Sequence, residues 1–235
     1  MGGVWTGVRE RVLALRGAPN RAAVFGAEFG TYGHGFELSP VLTEEQVSAV
    51  ERGLGHTFPA EFRSFLLEVG AGGAGPDYGL FPVKPPAAPG DTAAVPPPGP
   101  PPFRPELTQE LDAHERAEPQ RPDYSDDDAF LRAHRAWDAR WETLHDTLSD
   151  GTFCVGEQGC AYYTLLAVTG PERGTMWDDV RAVGEGVLPI RHRDRETGNE
   201  TERVTFAEWY LGWLHRAERV ATRVRNHRPT GPVGM

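Results

Sequence analysis

The sequence has few of the features that membrane insertion, secretion or thiolate chemistry requires. No run of about 18 apolar residues occurs, so the sequence predicts no transmembrane helix. The segment Met1–Trp5 lacks the basic-then-apolar layout of a signal peptide, and we expect a cytoplasmic protein. Only two residues are cysteine, Cys154 and Cys160, and their spacing is not the Cys-x-x-Cys of a zinc or thioredoxin site. Two reduced structural thiols are favoured, although the pair could face each other across a hairpin as a disulfide or redox pair.

Motifs of catalysis and metal binding are missing as well. None of the eight histidines belongs to a His-Glu-x-x-His pair, and no serine lies in a Gly-x-Ser-x-Gly elbow. The stretch Gly70–Gly75 is followed by Pro76 and Asp77, whereas a phosphate-binding loop ends in Lys-Ser or Lys-Thr, so it is interpreted as a structural turn. His34 lies between two glycines and is either a hydrogen-bonded structural residue or an acid/base. We predict that the chain is not an enzyme and has no catalytic residue, metal or cofactor.

Basic residues are outnumbered, with 24 lysines and arginines against 34 aspartates and glutamates, which gives a formal net charge of -10. Binding to nucleic acid is disfavoured because contact with phosphates requires a basic face. An acidic surface suits a basic protein partner, and the alternative is that the charge serves solubility alone.

Proline is distributed unevenly. Twelve of the 21 prolines lie within positions 84–128, in a segment poor in aliphatic residues. This composition predicts an extended, partly disordered insert over 84–125. We therefore expect one domain over the whole chain, with its core formed by about 25–83 and 126–217, and a frayed tail over 226–235. Neither part is expected to fold alone, because the first has helices without a sheet and the second has strands that need cover.

Two short helices and a tight turn are predicted over 41–70. Thr43 and Gln46 have the spacing of a capping box at the first helix start. Gly55 suits the left-handed residue after a helix, and Pro59 suits the first turn of the next one. Apolar residues repeat at helical spacing in both helices, namely Val47, Val50 and Leu54, then Phe62, Phe65, Leu66 and Val69.

The second half of the chain predicts a sheet between two helices. A helix is expected after Ser125, and Thr205 with Glu208 forms a second capping box before an apolar stripe that includes Trp209. Tyr162–Val168 is apolar on both faces, which predicts a central strand covered on both sides, with neighbours at 153–155 and 174–180. The order of elements favours an α+β fold, with a central mixed or mostly antiparallel sheet flanked by N-terminal helices and a C-terminal helix.

The order of these motifs resembles the SUKH superfamily, which includes the fungal cell-wall assembly regulator and many bacterial toxin-immunity proteins. The resemblance extends from about Phe25 to Leu214, interrupted by the proline-rich segment. The matching features, in chain order, are Thr43-Glu44-Glu45, Glu51, Phe58-Pro59-Ala60-Glu61-Phe62, Phe65-Leu66, the Gly70–Gly79 loop, Gly159-Cys160-Ala161-Tyr162, Gly174-Thr175-Met176-Trp177-Asp178 and Phe206-Ala207-Glu208-Trp209.

The resemblance implies a SUKH-like fold and a non-catalytic protein-binding module. The function it most favours is that of an immunity protein, which neutralises a bacterial toxin by direct binding. The alternative is a regulatory or scaffold protein of the cell-wall assembly regulator type, whose partner is not a toxin. No membrane and no nucleic acid is expected among the partners.

A partner-binding rim is predicted from residues beside glycine-rich turns, where loops on a rigid scaffold carry function. The two carboxylates of Trp177-Asp178-Asp179 could form a general acid/base pair or belong to a binding rim. The binding rim is the favoured interpretation. Carboxylates and aromatic anchors together suit recognition of a basic partner. The predicted rim consists of Asp77, Tyr78, Glu157, Tyr162, Trp177 and Asp178.

Overall fold

A computed structural model describes residues 3–28, 33–86, 97–193, 200–201 and 203–223. Its helices are α1 (Val8–Ala14), α2 (Glu44–Leu54), α3 (Ala60–Glu68), α4 (Leu107–Arg116), α5 (Asp127–Thr147) and α6 (Phe206–Ala221). Its strands are β1 (Thr152–Gly159), β2 (Tyr162–Ala167), β3 (Met176–Asp179), β4 (Val187–Pro189), β5 (His192–Arg193) and β6 (Glu200–Thr201). The predicted α+β class is confirmed. The predicted tail over 226–235 lies outside the described residues.

The first four strands pair in the order β1-β2-β3-β4, and each of these pairings is antiparallel. Single bridges continue the pairing beyond β1, from Gly156 to Leu80, from Leu80 to Gly73 and from Gly73 to Leu38. Leu38, Gly73 and Leu80 therefore form isolated bridges outside the named strands. They bring the glycine-rich loop directly against the sheet.

The turn between α2 and α3 is held by polar contacts at both ends. Thr43 and Gln46 form the predicted capping box, and Gly55 takes the left-handed conformation that ends α2, with φ 71°. Glu51, which is buried, accepts hydrogen bonds from the Phe58 backbone N–H and from Arg63. A buried carboxylate with two donors is satisfied, so Glu51 is a structural residue of this turn.

One face of the sheet, called the first face here, is covered by α1, α3 and α6. Leu166 of β2 and Met176 of β3 lie on it and have no exposed surface. The core there is aromatic, and the largest fully buried side chains are Phe36, Phe58, Phe65, Phe206 and Tyr210. Tyr210 donates its hydroxyl hydrogen to the Ala74 carbonyl at 2.8 Å, which ties α6 to the glycine-rich loop.

The opposite face, called the second face, is covered by α4 and α5. Leu165 of β2 and Trp177 of β3 pack there in a second apolar cluster. Leu144 and Leu148 contribute from α5 and the residue after it. Because neighbouring residues of a strand point to opposite faces, β2 supplies both cores, and the predicted central strand covered on both sides is confirmed.

The described part of the proline-rich segment contains a helix and a buried aromatic residue. Residues 87–96 lie outside the described residues, but α4 is a helix that the sequence analysis did not predict. Phe103 is 1% exposed and packs edge-on against Trp177. Gly151 makes room for this segment, since a Cβ at that position would lie 2.4 Å from the Phe103 nitrogen. The described part of the segment thus supplies one side of the second core.

Thr108 of α4 covers the outer edge of the sheet. Its hydroxyl donates to the Val187 carbonyl at 2.9 Å and accepts from the Val187 N–H at 3.1 Å. Val187 is the first residue of β4, and Thr108 is itself buried. Both backbone groups that this edge would offer to another strand at Val187 are therefore occupied.

The β1–β2 hairpin corrects the predicted geometry of the two cysteines. β1 continues to Gly159, and the turn consists of Cys160 and Ala161, with φ 53° and 61°. Cys154 pairs with Leu165 far from the tip, whereas Cys160 is exposed at the tip. The two thiols do not face each other, because the hairpin turns at Cys160 and Ala161 and not between the two cysteines. Both cysteines are free in the structure.

Candidate functional site

The glycine-rich loop and the β1–β2 hairpin meet at one end of the sheet. The Phe81 N–H donates to the Val155 carbonyl at 2.8 Å, and the backbones of Gly79 and Gly156 pack closely. The Tyr78 ring lies against Gly159, 3.0 Å from where a Cβ would be. These contacts hold the loop on the first face, so its polar side chains lie beside those of β2 and β3.

Asp77 has a left-handed backbone, with φ 53°, in a tight contact with a second loop. A Cβ on Gly26 would lie 1.5 Å from the Asp77 carbonyl oxygen, so only glycine fits there. The neighbouring Phe25 is 61% exposed, and its ring centroid lies 5.4 Å from that of Tyr78. The backbone of Asp77 is therefore fixed in place beside the exposed Phe25 and the half-buried Tyr78.

Asp178 is oriented by the hairpin. Its carboxylate accepts a hydrogen bond at 2.5 Å from the Gln158 amide, which also donates to the buried Thr164 hydroxyl at 3.1 Å. Asp178 pairs with Thr164 across β2 and β3, so both lie on the first face. Burial raises the pKa of Asp178, the Gln158 hydrogen bond opposes that rise, and the negative charge of Asp77 raises the pKa further.

Asp77 and Asp178, called the acidic pair here, carry negative charge that the positive charge of Arg216 compensates only in part. Burial raises the pKa of Asp77, and the positive charge of Arg216 on α6 lowers it by a smaller amount. The charge of Asp77 in turn raises the pKa of Asp178. Carboxyl groups whose pKa is raised by burial and by a like charge are candidates for a functional site.

A cavity of about 390 Å³ opens beside Asp77, between α6 and the loop that carries Phe25. Its aromatic walls are Phe25, the half-buried Trp209 and Trp213, of which Trp213 is 6% exposed. The two charged side chains that line it are Asp77 and Arg216. An aromatic cavity with a few convergent polar groups has the form of a binding site.

Comparison with known proteins assigns the family. The model of the SMI1 / KNR4 family (SUKH-1) matches residues 41–194. The chain belongs to the SMI1/KNR4 family. No curated protein and no solved structure matches it significantly. Membership of SUKH-1 confirms the resemblance found in the sequence and fits a non-catalytic binding module. The acidic pair lies inside the matched range, whereas Phe25, Trp209 and Arg216 lie outside it.

Four of the six predicted rim residues share the first face in this SMI1/KNR4 protein. Asp77 and Asp178 are coupled by charge, and Tyr78 packs on the hairpin that carries Tyr162. Tyr162 is two residues before Thr164 on β2 and therefore lies on the same face. The structure thus places these four residues on one face, beside α6, a neighbour that was not predicted from the sequence. Their role in partner binding remains a prediction.

Trp177 and Glu157 are on the second face, and the predicted common rim is wrong for both. Trp177 is 5% exposed and buried against Phe103, so it is not an anchor at a surface. Glu157 pairs with Tyr163, which shares the second face. The physical reason is the alternation of side chains along a strand, which separates Trp177 from Asp178 and Tyr162 from Tyr163.

Glu157 instead lies near a separate opening on the second face. This opening, of about 310 Å³, is lined by Cys154, Tyr163 and the Asp179–Arg181 ion pair, among others. Arg181 donates to both oxygens of the buried Asp179 and to the His145 carbonyl on α5. Burial raises the pKa of the Cys154 thiol, so it is not an activated nucleophile. The charges of Asp179 and Arg181 are paired, and Arg181 links β3 to α5, so the role of this opening is structural.

His34 is a structural histidine. Its Nδ1 accepts a hydrogen bond from the Phe36 N–H at 3.1 Å, and its ring lies edge-on to Phe36 and Trp213. Burial lowers its pKa to about 4, so the ring is neutral at physiological pH. The acid/base alternative for His34 receives no support from these contacts, which contain no carboxylate partner for the ring.

In the described part of the chain, no group of three or more histidine, cysteine, aspartate or glutamate side chains could hold a metal ion. Among the helices whose residues are described, none combines the length and apolar character needed to cross a membrane.

Some residues of the site lie far from Asp77 and Asp178 in the chain and were not predicted from the sequence. Gln158 orients Asp178 from β1, and Phe25 and Trp209 form cavity walls from loops and helices at opposite ends of the chain. Trp209 is predicted to be buried on an apolar stripe but is half-buried.

Proposed function

We propose that this SMI1/KNR4 protein is a protein-binding module of the immunity type, which acts in the cytoplasm by binding a bacterial toxin directly. The observation that carries this proposal is the acidic pair of Asp77 and Asp178, which lies beside the exposed Phe25 and the half-buried Tyr78 at one end of the sheet. Family membership supports a binding role, and the family resemblance supports the toxin as partner.

The charge of the protein supports a basic partner. The formal net charge is -10, and the acidic pair provides a local negative potential at the proposed surface. Oppositely charged partners associate faster, and this acceleration weakens as salt concentration rises. The Phe25–Tyr78 pair adds apolar area of the kind that anchors interfaces.

The test combines a growth assay with association kinetics. If a neighbouring gene encodes a toxin domain, coexpression of this chain should restore the growth of cells that express the toxin. The double variant Asp77→Asn and Asp178→Asn should protect less, associate more slowly by about tenfold, and lose part of the salt dependence. Asparagine is chosen because it tolerates the left-handed backbone of Asp77 and retains an oxygen for Gln158.

The matched control is the double variant Asp138→Asn and Glu142→Gln, which removes two negative charges from exposed positions on α5. This variant should protect as well as the wild type. Equal association rates for the double variant and the wild type would overturn the proposed surface. Binding of a partner that does not impair growth would replace the immunity function by the regulatory or scaffold function.

A further inference from the structure

The cavity between α6 and the Asp77 loop contains an acidic group among aromatic walls, away from the exposed tip of the hairpin. Phe25 is largely open to solvent, Trp209 is half-buried, and Trp213 forms the deeper wall. Asp77 lines the same space, so a group that enters meets aromatic rings and a carboxylate together. Aromatic faces attract cations through their negative charge distribution, and tryptophan does so most strongly.

The balance of charge at the cavity also favours a cation. Asp77 and Arg216 line the cavity, and the guanidinium acts on Asp77. The charge of Asp77 also acts on Asp178, which lies outside the lining, so one guanidinium stands against two carboxylates in this region. Burial is the largest cause of the raised pKa of each aspartate, and it outweighs the opposing effect of Arg216 on Asp77. A second positive group would therefore be stabilised there.

We propose that this cavity receives a single arginine side chain of the protein partner, with its guanidinium stacked on Trp209 and paired with Asp77. Arginine is favoured over lysine because its flat, weakly hydrated guanidinium stacks on aromatic rings and donates two parallel hydrogen bonds to a carboxylate. The partner itself rests on the proposed function. The cavity and its preference for arginine do not, because they follow from the side chains that line it.

The shape of the site supports insertion of one side chain. The backbone of Asp77 is held in a left-handed conformation and in close contact with Gly26, so this part of the site is already in place when a ligand binds. Preorganised groups lose less entropy on binding, which favours them as specificity contacts. The cavity is also bounded by Val24 and Val220, whose apolar surfaces suit the methylene stem of arginine.

The experiment uses the whole chain and a small probe, and needs no partner. N-acetyl-arginine amide is added to protein labelled with ¹⁵N, and the side-chain signals of the six tryptophans are followed by NMR. The variants Trp209→Phe and Trp213→Phe assign two of these signals. N-acetyl-citrulline amide, which has nearly the same shape without the charge, is the matched control.

We expect saturable shifts of the Trp209 and Trp213 signals with the arginine probe and none with the citrulline probe. Asp77→Asn should weaken binding by roughly fivefold or more, and Glu142→Gln should leave it unchanged. Equal shifts with both probes, no shift at all, or an unaltered affinity in Asp77→Asn would overturn the proposal. Tighter binding of N-acetyl-lysine amide would overturn the preference for arginine.

These outcomes are separable from those of the proposed function. Failure of the arginine probe would leave direct binding of a toxin at the acidic pair intact. Failure to protect cells from any toxin would leave a measured arginine site intact. When the partner is known, replacement of its arginines by glutamine in the wild type and in Asp77→Asn should identify one arginine whose loss has no further effect in the variant.

Discussion

Phe103 and Trp177 meet edge to face, with ring centroids 4.8 Å apart and 75° between the ring planes. Phe103 belongs to the proline-rich segment, and Trp177 belongs to the central part of the sheet. Aromatic pairs in this geometry are favourable beyond the area that they bury. The contact therefore packs the proline-rich segment against the second apolar cluster.

Replacement of Phe103 should test that contact. Phe103→Ala should lower the free energy of unfolding by about 3–5 kcal/mol, since a fully buried phenylalanine is truncated. Phe81→Ala is the control, because Phe81 is 41% exposed and should cost much less. Urea denaturation measures both. Equal effects in the two variants would show that the proline-rich segment does not contribute to the second core.

A pair of glycine variants separates backbone strain from lack of space. Gly151 and Gly184 both have left-handed backbones, with φ 73° and 78°. A Cβ at Gly151 would meet the Phe103 nitrogen, whereas at Gly184 nothing lies within 4 Å. Gly184→Ala should cost about 1–2 kcal/mol, the penalty of the left-handed conformation alone. Gly151→Ala should cost at least twice as much in the same urea measurement, and equal costs would contradict the packing described.

The hairpin tip should gain stability from a residue that suits its turn. Cys160 and Ala161 both have positive φ in a two-residue loop, where Asn-Gly is preferred. Ala161→Gly should raise the free energy of unfolding by up to about 1 kcal/mol. Ala139→Gly, at an exposed position within α5, should lower it by about the same amount. Thermal denaturation should show shifts of opposite sign, and a loss of stability in both variants would rule out this turn.

The stability of the domain should depend on the ionisation of Asp178. The pKa of Asp178 is raised by burial, so its ionised form destabilises the folded state. The favourable contribution of this group is fully present below the ordinary value of about 3.9 and is lost as the pH rises through the folded pKa. Asp178→Asn should therefore be more stable than the wild type at pH 7, and the difference should disappear on acidification. Urea denaturation at several pH values decides, and a variant less stable at pH 7 would contradict the assignment.

The single-domain organisation over the whole chain remains a prediction. Phe62 of α3 packs against Phe206 of α6 and Phe153 of β1, with ring centroids 4.9 and 5.8 Å apart. A protease site introduced between Lys84 and Pro97 should consequently yield two pieces that remain associated after cleavage. Size-exclusion chromatography measures this. Two pieces that separate and melt independently would indicate two domains.

Local signals predicted the fold better than they predicted the site. Thr43 with Gln46 and Thr205 with Glu208 form both capping boxes that the sequence indicated, because a capping box depends on residues within one turn. Leu165 and Leu166 showed that β2 has two covered faces. The packing of α4 on the second face was not predicted, because its apolar residues lie in a proline-rich segment of low aliphatic content. These residues are Phe103, Leu107 and Leu111.

Local sequence patterns did not predict the full set of residues in the candidate site. Alternation along a strand was sufficient to separate Trp177 from Asp178, but the glycine-rich neighbours favoured one common rim. Phe25 and Trp209 come together only through the packing of α6 against the N-terminal loops. No periodic pattern connects residues so distant in the chain. The acidic pair could be proposed from the sequence, whereas its aromatic cavity required the tertiary structure.

The hydroxyl of Thr108 takes the place of a neighbouring strand. At Val187 it supplies one donor and one acceptor, which is what a further strand would offer to the same residue. At Val187 the edge therefore offers no free donor or acceptor to a further strand. Loss of this single oxygen, as in Thr108→Val, would expose both backbone groups of Val187. Pairing between copies of the chain would then have a starting point at that edge.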